Sequence, residues 1–330
     1  MWSTTRVHQI ASSHVHNKAI YVLELNTELQ HQTKSKKSAD MLSSIRNFFS
    51  SSNSSATESK TSTPSSSVSS NKNTGTDRTY HVNDLLIPFP QDQIQLDPNY
   101  KEQGLIRCEA VDGVEGCWII HNVLTLGECE QFINLSEGMG YKPSPLSVLS
   151  GEFNTSQFNE STRQIRDSHR ILTDMPPELI RILNERIEEL LPQTVTVYGD
   201  EWVLRKGTPI NERIRFNRYN VTQKFGPHFD AGYKKNVNEM TQLTIVFYLN
   251  EDFKGGETTF FPGNKRTQFE EPGKVKEVRI VPKIGLVSVF FQNGELNHRH
   301  EGSPVTEGVK YIIRSDIAYV RAIPKPLTDL

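Results

Sequence analysis

The sequence predicts an α+β domain that is mainly β, a sandwich or barrel with two helices on one face, behind a disordered amino-terminal tail. Three features carry this expectation. From about residue 195 onward, short β-rich runs alternate with Gly, Pro and Asn turns at a spacing of roughly 8–12 residues. Among them Gln242–Leu249 (QLTIVFYL) is apolar on both faces, as a strand covered on both sides would be. Before residue 80 the chain is poor in core-forming side chains, and 14 of the 28 residues from Ser43 to Ser70 are serine. Such a composition cannot bury enough apolar surface to offset the entropy of ordering it.

The 330 residues therefore divide into a disordered, Ser-rich region 1–79 and a folded domain 80–330. Within the domain, 80–200 reads as helical support and 201–323 as the β core. In the tail, Met41–Phe49 has the pattern of a short amphipathic turn. One helix is expected from about Leu126 to Met139. Thr125 can cap it with Glu128 as the capping-box partner, Cys129, Phe132, Ile133 and Ser136 follow a helical spacing, and Gly138 and Gly140 supply an exit. A second helix is expected from about Pro176 to Leu191. Two prolines suit its first turn, Ile180, Leu183, Ile187 and Leu190 line one face, and Pro192 stops it. Strands are expected at 213–219, 242–249, 257–261, 275–281, 286–291 and 309–320, with Pro282-Lys283-Ile284-Gly285 as a turn between two of them.

Charge and cysteine usage exclude several classes of function. The formal net charge is −2 and no long basic run appears, so binding to nucleic acid through phosphate neutralisation has no support. No run of 18 or more apolar residues exists, and no membrane span is expected. Cys108, Cys117 and Cys129 make an odd count without a CxxC spacing, which points to reduced thiols in an intracellular, cytoplasmic protein. The first 23 residues lack Asp and Glu and carry Arg6 and Lys18, a faint likeness to a transit segment; no secretory signal is seen. The sequence is silent on oligomeric state.

The chemistry concentrates in Gly226-Pro227-His228-Phe229-Asp230. In an extended segment residues i and i+2 face the same way, so His228 and Asp230 can bind one metal from one side. His300, just before the last long strand, can supply a third ligand. Two histidines and a carboxylate on one face of an octahedron leave three positions open for a co-substrate and dioxygen. Lys310 lies on a strand ten residues after His300, where a buried cation can pair with the far carboxylate of a chelating dicarboxylic acid. Tyr219 can add a hydroxyl donor to the same group. His298 would share a strand face with His300, and Arg314 shares one with Lys310; they are the alternatives for ligand and anchor. Taken singly, each residue also has an ordinary structural reading, as a core aromatic, a solvated strand residue or an ion-pair partner.

The stretches RFNRYNVTQKFGPHFD (215–230), TIVFYLNEDFKGGETTFF (244–261), VPKIGLVSVFFQ (281–292) and HEGSPVTEGVKYIIRSD (300–316) resemble the catalytic domain of prolyl 4-hydroxylase-type Fe(II)/2-oxoglutarate-dependent dioxygenases. The similarity is close over about 210–320 and looser from about 118. It implies a double-stranded β-helix, or jelly roll, with helices buttressing the larger sheet. It implies iron ligation by His228, Asp230 and His300, with Lys310 and Tyr219 anchoring 2-oxoglutarate, Thr258 of the GGET motif close by, and Arg314 in reserve. The resemblance brings dioxygen as a co-substrate and ascorbate as an accessory. The reaction it implies is hydroxylation of an unactivated C–H bond, with release of succinate and carbon dioxide.

The substrate is less legible. Arg213, Arg215, Asn217 and Tyr219 share one strand face, which makes Arg215 and Asn217 candidates for substrate contact. The polar segment 141–170 has the length of a lid or binding loop, and its Arg163, Arg166 and Arg170 could meet an acidic substrate; His169 carries no particular signal. Three departures from the peptidyl-proline enzymes stand out: Phe225 where tyrosine is common, Gln242 where an arginine often binds peptide, and Tyr311 where tryptophan follows the anchor. These leave three readings open: hydroxylation of a protein side chain such as proline, the same chemistry on a small molecule, and a silent jelly-roll binding module.

Overall fold

The computed structural model describes residues 79–81, 86–144, 152–154, 165–263 and 276–326. The disorder expected of 1–79, the turn at Met41–Phe49, Arg163 and much of the 141–170 segment lie outside these residues.

Eight strands build the centre. They are β1 (Arg213–Tyr219), β2 (Lys224–His228), β3 (Glu239–Tyr248), β4 (Thr258–Phe260), β5 (Val278–Ile280), β6 (Val287–Phe291), β7 (His300–Gly302) and β8 (Lys310–Arg321). They form two antiparallel sheets, a larger one in the order β6-β3-β8-β1 and a smaller one in the order β5-β4-β7-β2. Each expected strand lies where the sequence puts it, though the run expected at 275–281 contracts to Val278–Ile280.

The lead-in differs from the expectation of helical support over 80–200. It also contributes strands: Arg107–Ala110 and Cys117–His121 extend the larger sheet beyond β6, and His169–Asp174 and Lys142–Pro143 extend it beyond β1. Short runs such as Cys-Trp-Ile-Ile-His pair with the sheet's exposed edges, which would otherwise offer unpaired backbone groups to other chains.

The two-residue period of a strand sorts the larger sheet into two faces. Leu243, Ile245, Phe247, Ile313, Ile317, Phe216 and Val289 join a core that also holds Phe132 and Leu183 of the helices. The alternate residues Val246, Tyr248, Phe290, Ile312 and Tyr219 join a second core with Phe260 and Ile280 of the smaller sheet. The strand read as apolar on both faces is so because it borders both cores. Polar side chains that share the second face are thereby held between the sheets.

Helix α1 (Leu126–Met139) begins with the expected capping box: the Thr125 hydroxyl accepts from the Glu128 amide, and the Glu128 carboxylate accepts from the Thr125 amide. Helix α2 (Pro177–Ile187) continues as a 3-10 turn, Glu188–Leu190. Glu128 has a second task. Arg186 of α2 lies 2.7 Å from it, both side chains almost wholly buried, and Arg186 also donates to the carbonyls of Val123 and Asp97. Burial would raise the Glu128 pKa, but the Arg186 contact and two backbone donors outweigh it and hold it below the usual range. Breaking such a pair leaves a buried charge uncompensated. Arg186→Ala is expected to cost about 3–5 kcal/mol in a urea unfolding titration; a loss below about 1 kcal/mol, the range of an exposed pair, would contradict this.

Candidate functional site

Strand register brings the two histidines together. His228 ends β2 and stands directly opposite His300, the first residue of β7; on its other side His300 faces Phe260 of β4. Asp230 follows two residues after His228. The His228 Nε2 lies 3.5 Å from one Asp230 oxygen and the His300 Nε2 lies 3.6 Å from the other. Ligand atoms of all three residues lie within 4.8 Å of one another.

The orientation of both rings is held from behind. The His228 Nδ1 donates to the Gly226 carbonyl at 2.8 Å, and the His300 Nδ1 donates to the His298 carbonyl at 3.0 Å. A proton committed to Nδ1 leaves each Nε2 lone pair facing Asp230, the arrangement a metal needs. Burial, then the neighbouring His228, pushes the His300 pKa down to about 4, so this imidazole is neutral near pH 7. Phe225 stacks on the His228 ring, and Phe290 meets the His300 ring edge-on.

Asp230 is supported from the larger sheet. Thr244 of β3 donates to its Oδ2 at 2.7 Å, and Arg314 of β8 reaches the same oxygen at 2.9 Å. Asn297 donates to its backbone carbonyl. Burial alone would raise its pKa, but Arg314 and then the two histidines hold it well below the usual carboxylate range.

A second cation is buried on the same face of the larger sheet as Arg314. Lys310 is the register partner of Tyr219, and its side chain is 3% exposed. Its Nζ donates to the Gly256 carbonyl at 2.6 Å and sits 5.4 Å from the Tyr219 ring and 5.7 Å from the Tyr248 ring. No ion pair to Lys310 occurs among the described residues. Burial pushes its pKa down to about 8, against the pull of Glu257. Thr258 is adjacent through Tyr248, whose hydroxyl lies 2.7 Å from the Thr258 hydroxyl. Gly256 has φ +68°, and a Cβ there would stand 2.9 Å from the Phe253 ring and 3.2 Å from Lys310 itself. A side chain is therefore excluded where the loop cradles the lysine.

The remaining candidates are engaged by other partners. His298 turns away, its Nε2 donating to the Glu115 carbonyl, so the chamber holds His300 alone of the two. Arg314 is occupied by Asp230 and by Asp316 at 3.6 Å, not aimed at the Lys310 end. Arg215 reaches Asp316 at 3.4 Å, and the Asn217 amide donates to the Arg215 carbonyl. Gln242 is fully buried at a bulge between β3 and β8, and its Oε1 accepts from Asn293. Arg213 is taken by Asp174. Arg166 lies over Phe225, 3.7 Å from the ring centroid. His169 meets Gln223, and Tyr311 donates to Glu137 of α1.

Residues 214–315 match the model of the 2OG-Fe(II) oxygenase superfamily. This segment is similar to a 2OG-Fe(II) oxygenase domain. Within the superfamily its likeness is to the prolyl 4-hydroxylase type. The domain and its flanks are 24% identical over 204 residues to prolyl 4-hydroxylase 13 of Arabidopsis thaliana, covering 58% of this chain and 66% of that protein. Probable prolyl 4-hydroxylase 6 of the same plant is 26% identical over 200 residues, 56% of this chain and 62% of that one. The chain thus spans less than two thirds of the length of these relatives. Among solved structures, a Trichoplax adhaerens prolyl hydroxylase bound to a hypoxia-inducible-factor peptide fragment aligns at a TM-score of 0.44 and 17% identity, over 62% of this chain and 84% of that one.

Three residues around this site gain their role only from the packing of the sheets. Tyr248 and Thr244 were hidden in a strand that reads as uniformly apolar, although their parity with Val246 places all three on one face. Asn297 lies in a turn, where an asparagine is unremarkable. Thr244→Val is nearly isosteric and removes a hydroxyl from the Asp230 carboxylate. Loss of such a supporting contact costs about 10–100-fold in metal affinity. A manganese(II) titration should show that loss with unfolding stability little changed; unaltered affinity would mean that Asp230 needs no support from β3.

Proposed function

We propose that the chain is an iron(II)- and 2-oxoglutarate-dependent dioxygenase that hydroxylates a side chain of a protein, prolyl or other. The observation that carries this is the convergence of the His228 and His300 Nε2 atoms on the Asp230 carboxylate, with the buried cation of Lys310 on the same face of the larger sheet as Arg314. Two imidazoles and one carboxylate suit iron(II). A buried lysine with a carbonyl for its close partner suits a carboxylate. The residues present therefore fit both groups. The wider reading is of a domain over 80–330 folded as a jelly roll; the sheet orders β6-β3-β8-β1 and β5-β4-β7-β2 support it.

In this proposal His228, Asp230 and His300 hold the iron. Lys310 and Tyr219, with Thr258 next to them, take the far carboxylate of 2-oxoglutarate. The chemistry supplied when metal, co-substrate and dioxygen are bound is hydroxylation of a C–H bond coupled to decarboxylation of 2-oxoglutarate to succinate. The protein's part is orientation and exclusion of water. The backbone carbonyls behind both histidines fix the ligand atoms, Thr244 and Arg314 keep Asp230 ionised, and Phe225, Phe260 and Phe290 keep the donors dry. A complete ligand set and anchor argue against a silent binding module. A protein substrate is favoured over a small molecule by the likeness to prolyl 4-hydroxylases.

Turnover tests the proposal directly. Supplied with iron(II), 2-oxoglutarate and dioxygen, the protein should form succinate and His228→Ala should not; absence of turnover in the wild type, or full turnover in the variant, sinks it. Lys310→Ala should raise the 2-oxoglutarate requirement at least about tenfold, as expected when a charge-assisted contact is lost. Arg314→Ala should instead weaken metal retention.

The pH dependence follows from Lys310. Its charged form is the one that holds a carboxylate, and its pKa lies near 8. Affinity for 2-oxoglutarate should be full below that pH and fall as pH rises through it, approaching about tenfold per unit. Lys310→Arg should flatten the profile. A wild-type profile that is flat from pH 7 to about 10 would remove Lys310 from the anchor.

A further inference from the structure

Arg170 is a charge without a charged partner among the described residues. It lies on His169–Asp174, the strand that extends the larger sheet past β1, and its register partner is Asn217. Residues directly opposite across an antiparallel pair share a face, so Arg170 stands on the face that carries Arg215, Asn217 and Tyr219 towards the chamber. Its Nη2 is buried and has no hydrogen-bond partner. Among the described residues it makes no ion pair.

The charges around it make its position costlier. Arg166, Arg215 and Arg314 all act on Arg170, and with burial, the largest cause, they push its pKa down to about 9. Arg314 is compensated by Asp230 and Asp316, and Arg215 by Asp316. Nothing in this group compensates Arg170. A buried guanidinium among like charges is retained at a cost to stability unless an anion arrives to pair with it. Lys310 sits two strands away, on β8 beyond β1.

We infer that Arg170, with Arg215 beside it, receives a carboxylate of the primary substrate, so that the enzyme selects acidic substrates. This rests on the oxygenase reading for the identity of the chamber and adds the charge of what enters it. The guanidinium fork matches a carboxylate in two parallel hydrogen bonds. The carboxylate can belong to an acidic residue of a peptide or to a free organic acid, and the two are separable by experiment.

The test is equilibrium binding to the full chain loaded with manganese(II) and saturating 2-oxoglutarate under argon. The probes are fluorescent peptides of equal length with alternating Pro–Glu or alternating Pro–Ser, together with free glutamate and free glutamine. The Pro–Glu peptide should bind at least about tenfold tighter than the Pro–Ser peptide, and less tightly as salt rises. Arg170→Gln should erase that preference, Arg170→Lys should keep part of it, and Arg181→Gln, on the exposed face of α2, should leave it intact. Preference for glutamate over glutamine without a peptide preference would assign the carboxylate to a free acid.

Equal binding of both pairs overturns the inference, as does an undiminished preference in Arg170→Gln. So does a loss of 2-oxoglutarate affinity in that variant as large as the loss for the peptide, which would make Arg170 a co-substrate contact. Retained 2-oxoglutarate affinity shows that the variant is folded; should it fail to fold, Arg170→Lys and Arg215→Gln carry the test. Succinate formation without an acidic preference sinks this inference alone, whereas an acidic preference without succinate formation sinks the oxygenase reading.

Discussion

Asp230 is the point at which the two sheets are electrically joined. It arrives from the end of β2, in line with His228, and meets His300 of β7 from the same sheet. Its Oδ2 is held by Thr244 and Arg314, which rise from the larger sheet. An ionised carboxylate can be buried here because these partners surround it. Removing any of them alters its charge or its aim, and with it the spacing of the two Nε2 atoms. The site therefore depends on the distance and register between two sheets that share few covalent neighbours.

That dependence explains the division of labour in the fold. One face of the larger sheet is tied to α1 and α2 through a continuous apolar core and through the buried Arg186–Glu128 pair. The rigid backing leaves the other face free to carry unusual residues: Lys310, Thr244, Ser288 and Asp316 are polar and buried there. Each has its own cost, and each is met by a specific partner such as the Gly256 carbonyl or Asp230. The positive side of the chamber is built from the same face, from Arg215, Arg314 and the flanking Arg170.

Comparison of sequence and structure separates what is local from what is not. The capping box at Thr125 and Glu128, the proline start of α2 and the strand runs all depend on neighbours a few residues apart, and all are legible in the chain. So is the pairing of His228 with Asp230 across one intervening residue. The second role of Glu128, as the buried partner of Arg186, is not legible, because its partner lies 58 residues away. The strands before residue 200 are not legible either, because short edge runs gain their identity from the sheet they join.

The sequence alone determined the reaction-bearing residue types and their order, since a strand's two-residue period and the spacing from His300 to Lys310 are properties of the chain. Tertiary structure decided which of the near-equivalent residues face the chamber. His300 rather than His298 meets Asp230 because pairing with β2 and β4 begins at His300, whereas His298 lies ahead of β7 and bonds to Glu115. Arg314 supports the carboxylate because Asp230 and Asp316 are within its reach. Gln242 is buried beside a bulge, and Arg170 has no ion-pair partner among the described residues. Burial and through-space charge belong to the packed sheets, and no spacing along the chain encodes them.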